Sequence, residues 1–389
     1  MKTRPYAIVH YHEIGLKGRN RSTFENILVR NLRTALTGTG SHDPRKLPGR
    51  VLVPLAEDAD DALVTERLVR VFGVANVGLG VGGKLDLDAL NEVAWNVVRD
   101  RAFATFAVRA RKAHTDFSPT AREINEKVGA FLLERSGTRV NLSQPELTCH
   151  IEIVGELAVV YADRIRGAGG LPVGSSGKVV ALVSSGIDSP VASARMMRRG
   201  SRVVFVHFHS QPFTDGSSVR QAAEIIELLT RYQYASTMYV IPLAPAQQLI
   251  AASCPESLRT LLYRRMMMRI ATEIAHRESA GALVTGDSLG QVASQTLENL
   301  TVVEDAAGIP VLRPLVGRDK EEIVAEASAI GTFEVSAAPC QEACVLFEPR
   351  RPATKANVEQ VHAAEQGLDL DGLVSDALEG AEVRTFRFP

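Results

Sequence analysis

Ser184-Ser185-Gly186-Ile187-Asp188-Ser189 is the part of this chain whose residue types and order are best suited to chemistry. The five apolar residues before it, 179–183, read as a buried strand. Residues 190–197 after it read as a helix. A tight Ser/Gly turn between a strand and a helix N-terminus is an anion site, because backbone N–H groups face the ligand and the helix dipole adds positive charge. The serines add hydroxyl donors. Asp188 repels anions and suits a phosphate cradle only if a divalent cation lies between its carboxylate and the phosphates. The same residues also suit an ordinary strand–helix turn, with Asp188 and Ser189 as caps and Pro190 at the first helical position.

The elements around this turn decide between the two readings. From Lys178 onward, apolar strands at 179–183, 202–207, 237–242 and 282–285 alternate with helical patterns at 190–199, 217–231 and 257–279. That order predicts an α/β fold, a doubly wound parallel sheet with helices on both faces. Ligands of such sheets bind at the carboxyl ends of the strands. Two further strand ends are polar or glycine-bearing there: His207-Phe208-His209-Ser210 and Thr285-Gly286-Asp287-Ser288-Leu289-Gly290-Gln291. Three loops converging on one crevice favour a binding site over a simple turn. His207 also suits a satisfied buried histidine at a strand end.

Upstream, residues 1–75 read as a small α+β domain: strand 6–11, an amphipathic helix through Phe24, Ile27, Leu28, Leu32 and Leu36, strand 51–55 and helix 61–72. Residues 76–167 repeat the style with helix 87–101, strand 105–110, helix 124–134, and strands 147–154 and 157–163 joined at Gly155-Glu156. Glycines and a proline at 167–174 mark a linker, placed at 168–177, before a last domain at 178–389.

Composition narrows the class. The chain has 389 residues, 45% hydrophobic and 23% charged, enough for two or three cores. No apolar run is long enough for a transmembrane helix, and the N-terminus lacks a signal-peptide pattern. Four cysteines do not make a disulfide framework, so a cytoplasmic location is expected. The net charge of −1 does not itself announce a nucleic-acid partner. Residues 1–170 are mildly basic, with 24 Lys and Arg against 20 Asp and Glu, a balance that a solvated mixed surface also explains.

Several motifs in order carry a family resemblance: Glu13-Ile14-Gly15-Leu16-Lys17-Gly18-Arg19-Asn20-Arg21, Arg109-Ala110-Arg111-Lys112, Glu123-Ile124-Asn125, and Gly167-Ala168-Gly169-Gly170-Leu171-Pro172-Val173-Gly174. They continue with the 184–190 turn, Val206-His207-Phe208-His209-Ser210, the run from Leu283 to Glu298, Pro310 to Leu315, and Gly317-Arg318-Asp319-Lys320. Over nearly its whole length the chain resembles the tRNA 4-thiouridine synthetases, or tRNA sulfurtransferases of the thiamine-biosynthesis type.

The resemblance implies an N-terminal ferredoxin-like domain, a THUMP RNA-binding domain and a PP-loop ATP pyrophosphatase domain. It implies that ATP adenylates the 4-oxygen of uridine 8 in tRNA, releasing pyrophosphate, and that persulfide sulfur then displaces AMP. It assigns ATP contacts to Leu182, Val183, Ser184, Ser185, Gly186, Ser189, His207, Phe208, Arg264, Gly286 and Gln295, with Asp188 catalytic and Mg²⁺ accompanying ATP. Arg264 and its neighbour Arg265 also suit solvated helix positions. Arg109, Arg111, Lys112, Arg122 and Lys127 are candidate phosphate contacts for the acceptor end of tRNA. A cysteine desulfurase as sulfur donor and a homodimer are implied partners.

Sulfur transfer needs a thiol. Cys149 lies in an apolar strand and reads as buried filler. Cys254 is placed at a helix start but reads as structural. Cys344 matches the family's sulfur-bearing position and is the expected nucleophile. Cys340 stands where the family more often has tyrosine. With no C-x-x-C in the chain, an iron–sulfur cluster is disfavoured.

Three departures from the family pattern stand out. Ser185 replaces a usual glycine, which would cost about 1 kcal/mol if the turn required positive φ there. The sequence ends at Pro389, so the resemblance is to the form without a C-terminal rhodanese domain, and thiamine synthesis is doubtful. His12 replaces a commoner glycine. Two other functions fit parts of the chain: a non-catalytic tRNA-binding protein with a decayed ATP turn, and another PP-loop ATP pyrophosphatase.

Overall fold

The structure, a computed structural model, describes residues 4–341 and 347–389. The chain divides into two compact units, Met1–Pro172 and Val173–Pro389. Among the described residues, no helix is long and apolar enough to cross a membrane.

In the N-terminal unit, β1 (Arg4–His10), α1 (Arg21–Ala35), β3 (Arg50–Pro54) and α2 (Asp61–Arg70) follow the expected order, with an additional short strand, β2 (Arg45–Leu47), before β3. Then comes a strand the sequence pattern did not reveal, β4 (Asn76–Gly83). Next are α3 (Leu87–Val98), β5 (Thr105–Ala113), α4 (Ala121–Ser136), β6 (Arg139–Val140), β7 (Leu147–Val154), β8 (Leu157–Tyr161) and β9 (Ile165–Arg166). β4 pairs with β1 on one side and with β8 and β9 on the other, so a single nine-stranded sheet runs through the unit in the order β2-β3-β1-β4-β8-β7-β5-β6.

Side-chain alternation gives this sheet two different faces. Phe106, Val108, Cys149, Ile151 and Val160 pack on α3 and α4 through Leu90, Val98, Ile124, Val128 and Leu132. The opposite face carries Ile8, Leu52, Val159 and Tyr161. Gly78 is required there: a Cβ would stand 2.5 Å from the Tyr161 ring.

The glycine-rich stretch after β9 is hydrogen-bonded rather than free. Gly167, Ala168 and Gly169 donate to the carbonyls of Ala75, Val69 and Val74, and Gly174 and Ser176 both donate to that of Gly200.

The second unit contains β10 (Lys178–Leu182), α5 (Asp188–Arg198), β11 (Arg202–His209), α6 (Ser217–Gln233), β12 (Ala235–Pro242), α7 (Ala244–Ser253), α8 (Arg259–Glu278) and β13 (Leu283–Val284). It closes with α9 (Leu297–Glu304), β14 (Val311–Leu312), α10 (Lys320–Ile330), α11 (Phe333–Ala337), α12 (Val358–Glu365), α13 (Leu370–Glu379) and β15 (Glu382–Arg387). The sheet order is β14-β13-β10-β11-β12-β15. The four expected strands, β10 to β13, are parallel; β14, which the sequence reading did not include, extends the parallel part beside β13, and β15 adds an antiparallel edge on β12. Consecutive buried residues in β10 and β11 show that both faces are covered, the mark of a parallel sheet between helices.

Two sequence expectations change. Cys254 follows α7 as its C-cap instead of starting a helix, because α7 already begins at Ala244. Burial raises the pKa of its thiol, which points at the Ala364 carbonyl, 3.3 Å away. Arg265 is not solvated: it is 1% exposed and pairs with Glu365 at 2.9 Å and Asp305 at 2.8 Å.

Candidate functional site

The turn after β10 is held by its own serines. The Ser184 amide donates to Ser189 Oγ at 3.0 Å, and the Gly186 amide donates to Ser184 Oγ at 3.1 Å. α5 starts at Asp188, so its free N–H groups and dipole open at this turn. The Thr285-Gly286 loop lies directly against it. A Cβ on Gly286 would fall 2.7 Å from the Ser189 nitrogen, so only glycine permits the approach.

Ser185 does not need positive φ: among the described non-glycine residues only His114, Tyr234 and Ser279 have it. The strain that motivated a decayed turn is therefore absent. Ser185 is buried, and its Oγ lies 2.9 Å from Cys340 Sγ.

A cavity of about 580 Å³ opens beside the turn. Leu182, Val183, Ser184, Asp188, Ser189, His207, Phe208, Arg264, Gly286 and Gln295 all line it, so ten of the expected residues converge. Ser185 and Gly186 belong to the turn but are not among the lining residues. His207 is 1% exposed, and its Nδ1 is 2.9 Å from the Val183 carbonyl, which accepts the ring proton. Its imidazole braces the strand end and leaves no ring nitrogen free for chemistry, since Nε2 faces Ser218 Oγ at 3.4 Å.

Two carboxylates at the cavity are neutralised in place. Asp188 accepts from Lys320 Nζ at 2.6 Å and from Gln291 Nε2 at 3.0 Å. Asp287, 4% exposed, accepts from Arg264 Nη2 at 2.5 Å, Thr285 Oγ1 at 2.7 Å and Gln295 Nε2 at 3.2 Å, and Arg313 Nε lies 3.5 Å away. Burial alone would raise the Asp287 carboxyl, but Arg264, Thr285 and Arg313 hold it below the usual carboxylate range. Arg264 is thus a built part of the cavity wall and not a solvated helix residue. Among the described residues, Gln295 Oε1 is buried with no hydrogen-bond partner, an acceptor left for a ligand.

Lys320, Gln291 and Asp287 were not singled out as site residues by sequence reasoning. All three stood inside matched motifs, but their pairings span up to 132 residues and have no local signature.

Residues next to the thiol loop are fixed near the turn. Ser336 Oγ donates to the Gly186 carbonyl at 3.4 Å, and the Gln341 amide donates to Ser217 Oγ at 3.0 Å. Phe347, buried and lining the cavity, packs edge-on against Phe213 with ring centroids 5.1 Å apart. Cys344, the expected nucleophile, lies outside the described residues. Cys149 is fully buried, which pushes its thiol up to about 12 and fits an inert filler.

The five RNA candidates do not form one surface. Arg109 and Arg111 are exposed on the helix-free face of the sheet. Lys112 points into the following loop, donating to the carbonyls of Phe117 and Pro119. Arg122 and Lys127 are on α4, on the other side of the sheet, where Arg122 pairs with Glu126 at 2.7 Å.

Residues 174–370 match the thiamine biosynthesis protein (ThiI) family, residues 6–78 the ThiI ferredoxin-like domain and residues 84–163 the THUMP domain. A probable tRNA sulfurtransferase of Moorella thermoacetica is 42% identical over 97% of each chain. Those of Thermus thermophilus and Nocardia farcinica are also 42% identical, over 97% of this chain and 93% of theirs. The chain belongs to the ThiI family. A 4-thiouridine synthetase solved as an RNA complex with bound ATP superposes on this ThiI-family chain with a TM-score of 0.92, at 36% identity, over 99% of this chain and all of the other. Its fold is therefore the expected combination of ferredoxin-like, THUMP and PP-loop domains.

Proposed function

We propose that the chain is an ATP-dependent tRNA sulfurtransferase that converts uridine 8 of tRNA to 4-thiouridine. The observation that carries this reading is the cavity at the serine turn, with Asp188 neutralised by Lys320 and Arg264 fixed by Asp287, in a chain alike over its full length to a 4-thiouridine synthetase. The division proposed is a ferredoxin-like domain at 1–75, a THUMP domain at 76–167, a linker at 168–177 and the PP-loop domain from 178.

The residues suit the chemistry. A pyrimidine carbonyl is a poor electrophile because its oxygen leaves badly. When the 4-oxygen attacks the α-phosphorus of ATP, the bond to pyrophosphate breaks, the ring N3 proton is lost, and the oxygen becomes part of an AMP leaving group. The outer sulfur of a Cys344 persulfide then adds at C4 and AMP departs; a second thiol attacks Cys344 Sγ, the S–S bond breaks to release 4-thiouridine, and an external dithiol reduces the disulfide left on Cys344. The Ser184 and Ser189 hydroxyls and the α5 N-terminus would face the charge that builds on the phosphates. Leu182, Val183, His207 and Phe208 would hold the adenosine, and Gln295 Oε1 offers it an acceptor. Lys320 is close enough to the turn to follow the departing pyrophosphate.

Asp188 is a single, partly exposed carboxylate beside the turn, and among the described residues there is no cluster of three metal-ligating side chains. That donor set fits Mg²⁺ carried mainly by nucleotide phosphates, with Asp188 as its protein contact. Mg²⁺ would supply charge neutralisation on the phosphates when bound.

Cys344 is the proposed sulfur-bearing nucleophile, supported by Phe347, the described residue on its C-terminal side, which lines the cavity. A cysteine desulfurase is the proposed donor and a cytoplasmic homodimer the proposed form. The test is mass spectrometry of nucleosides from unmodified tRNA incubated with the protein, Mg-ATP, cysteine desulfurase and cysteine. A 4-thiouridine peak that needs every component is expected. Cys344→Ser should abolish that peak while tRNA-dependent pyrophosphate release continues. Absence of the peak with desulfurase and with free sulfide alike, despite tight tRNA binding, would replace this reading with the binding-protein one.

A further inference from the structure

The loop after β13 has features that nucleotide binding does not use. From Ser288 to Leu297 it contains no charged residue. It is closed on itself: the Gly290 N–H donates to the Gln295 carbonyl and the Gln295 N–H to that of Val292, both at 2.9 Å. It is also tied to the chain between β14 and α10. The Leu289 N–H donates to the Val316 carbonyl at 3.1 Å, and Ser288 Oγ donates to that of Arg318 at 2.8 Å. Each of these two segments sends one donor onto Asp188 of the serine turn, Gln291 Nε2 from the first and Lys320 Nζ from the end of the second. The double loop is therefore fixed beside the turn, and its Gln295 lines the cavity.

The same two segments expose apolar side chains. Leu289, Val292, Leu297 and Val316 are between 42% and 66% exposed, and they are four of the ten large apolar side chains that stand exposed among the described residues. Exposed apolar surface gathered beside a polar cavity suits an uncharged ligand group. A segment without cations does not suit a phosphate.

Gln291 adds a direction. A carboxylate only accepts, so the contact with Asp188 turns Nε2 toward the turn and leaves Oε1 as an acceptor on the other arm of the amide. Among the described residues Oε1 has no donor. In the proposed reaction the 4-oxygen of uracil meets the α-phosphorus at the turn. The ring atom next to C4 on its pairing edge is N3, which carries a proton in uracil and is an acceptor in cytosine. Bases that undergo chemistry are taken out of their stack and read by hydrogen bonds to the pairing edge and by apolar walls.

We infer that this double loop receives the extruded uracil, with Gln291 Oε1 accepting from N3–H and Leu289 and Val292 flanking the ring. An amide is not a base, so Gln291 orients the ring and does not take the N3 proton. The inference rests on reading the chain as a tRNA sulfurtransferase and names the residues that select and hold the target base.

The first experiment is near-ultraviolet crosslinking of the full chain to tRNA carrying 5-iodouridine at position 8, with the joined peptide identified by mass spectrometry. The crosslink is expected within residues 288–297 or 313–320. The second is tRNA-dependent pyrophosphate release at saturating ATP, read beside the Kd for tRNA. Gln291→Met and Val292→Ser should each lower kcat about tenfold and leave that Kd within about twofold of wild type, because the base contact orients the reacting atom while other contacts hold the RNA. Val292→Ile should restore the rate. Leu142→Ser, at an exposed leucine of the N-terminal unit, should leave it unchanged. A crosslink mapping elsewhere, with Val292→Ser at the wild-type rate, overturns the inference and leaves the enzyme reading intact. So does a change of oligomeric state in Val292→Ser, which would make this surface a contact between copies of the chain. A wild-type chain that releases no pyrophosphate with tRNA refutes both.

Discussion

Asp287→Ala tests the way the nucleotide cavity is built. Asp287 is 4% exposed and holds the Arg264 guanidinium, whose side chain is 17% exposed, with that of Arg313, 11% exposed, close by. Removing the carboxylate leaves two largely buried cations near each other, with Glu304 the one carboxylate still paired with Arg313 among the described residues. Breaking a buried pair from one side costs about 3–5 kcal/mol, because the remaining charge loses its compensation. For a unit of this size each kcal/mol lowers Tm by roughly 2–4 °C, so a fall of roughly 6–20 °C is expected. Asp287→Asn keeps an acceptor for Thr285 and should cost less. Arg264 and Gln295 also lose their anchor, so KM for ATP in tRNA-dependent pyrophosphate release should rise by about tenfold.

The pH dependence has a definite sign. The folded Asp287 carboxyl titrates below its usual value, so its contribution is complete above about pH 4 and is lost as pH falls through the lower folded value. Wild type and Asp287→Asn should therefore differ by a constant amount between pH 5 and 8 and converge only in acid. Thermal melts and initial rates on the same samples decide the matter. An Asp287→Ala protein melting within about 2 °C of wild type, with unchanged KM, would refute the claim that this carboxylate organises the cavity.

Two further outcomes follow from other charged contacts. Lys320→Met should lower tRNA-dependent pyrophosphate release by about 10²-fold with little change in Tm, because Lys320 is half-exposed and its role is to offset Asp188 and phosphate charge; rates and melts measured side by side check both halves. In the N-terminal unit, burial would raise the Glu152 carboxyl, but His10, Tyr161 and Arg50 together bring it down to about 2. Its stabilisation, on the order of 3 kcal/mol by linkage, should be complete above about pH 5 and disappear as pH falls toward 2, so urea melts of wild type and Glu152→Gln should differ at pH 7 and approach each other at pH 3.

The strand–turn–helix at 178–198 was legible because its signals are local. An apolar run, a Ser/Gly turn and a helical pattern each declare themselves within a few residues, and parallel order then places the loops at 207–210 and 285–291 beside the turn. β4 was illegible for the opposite reason. Four of its eight residues are glycine, so it has little side-chain alternation to read, and the cause of one of them, the Tyr161 ring over Gly78, lies 83 residues away. β15 is an exposed edge strand whose charged residues resemble a loop.

Within the site, the sequence determined which residue types meet at the strand ends, and tertiary structure decided their partners. Arg264 and Arg265 are neighbours on α8, yet a helix turns about 100° per residue, sending one to Asp287 at the cavity and the other into a buried network with Glu365. The balance of Asp188 by Lys320 joins residues 132 apart, and the contact of Ser185 with Cys340 joins residues 155 apart. Local patterning fixes the backbone of an element. The charge state and packing of a side chain depend on whichever distant segment folds against it, and that is settled only when the sheet and its helices close together.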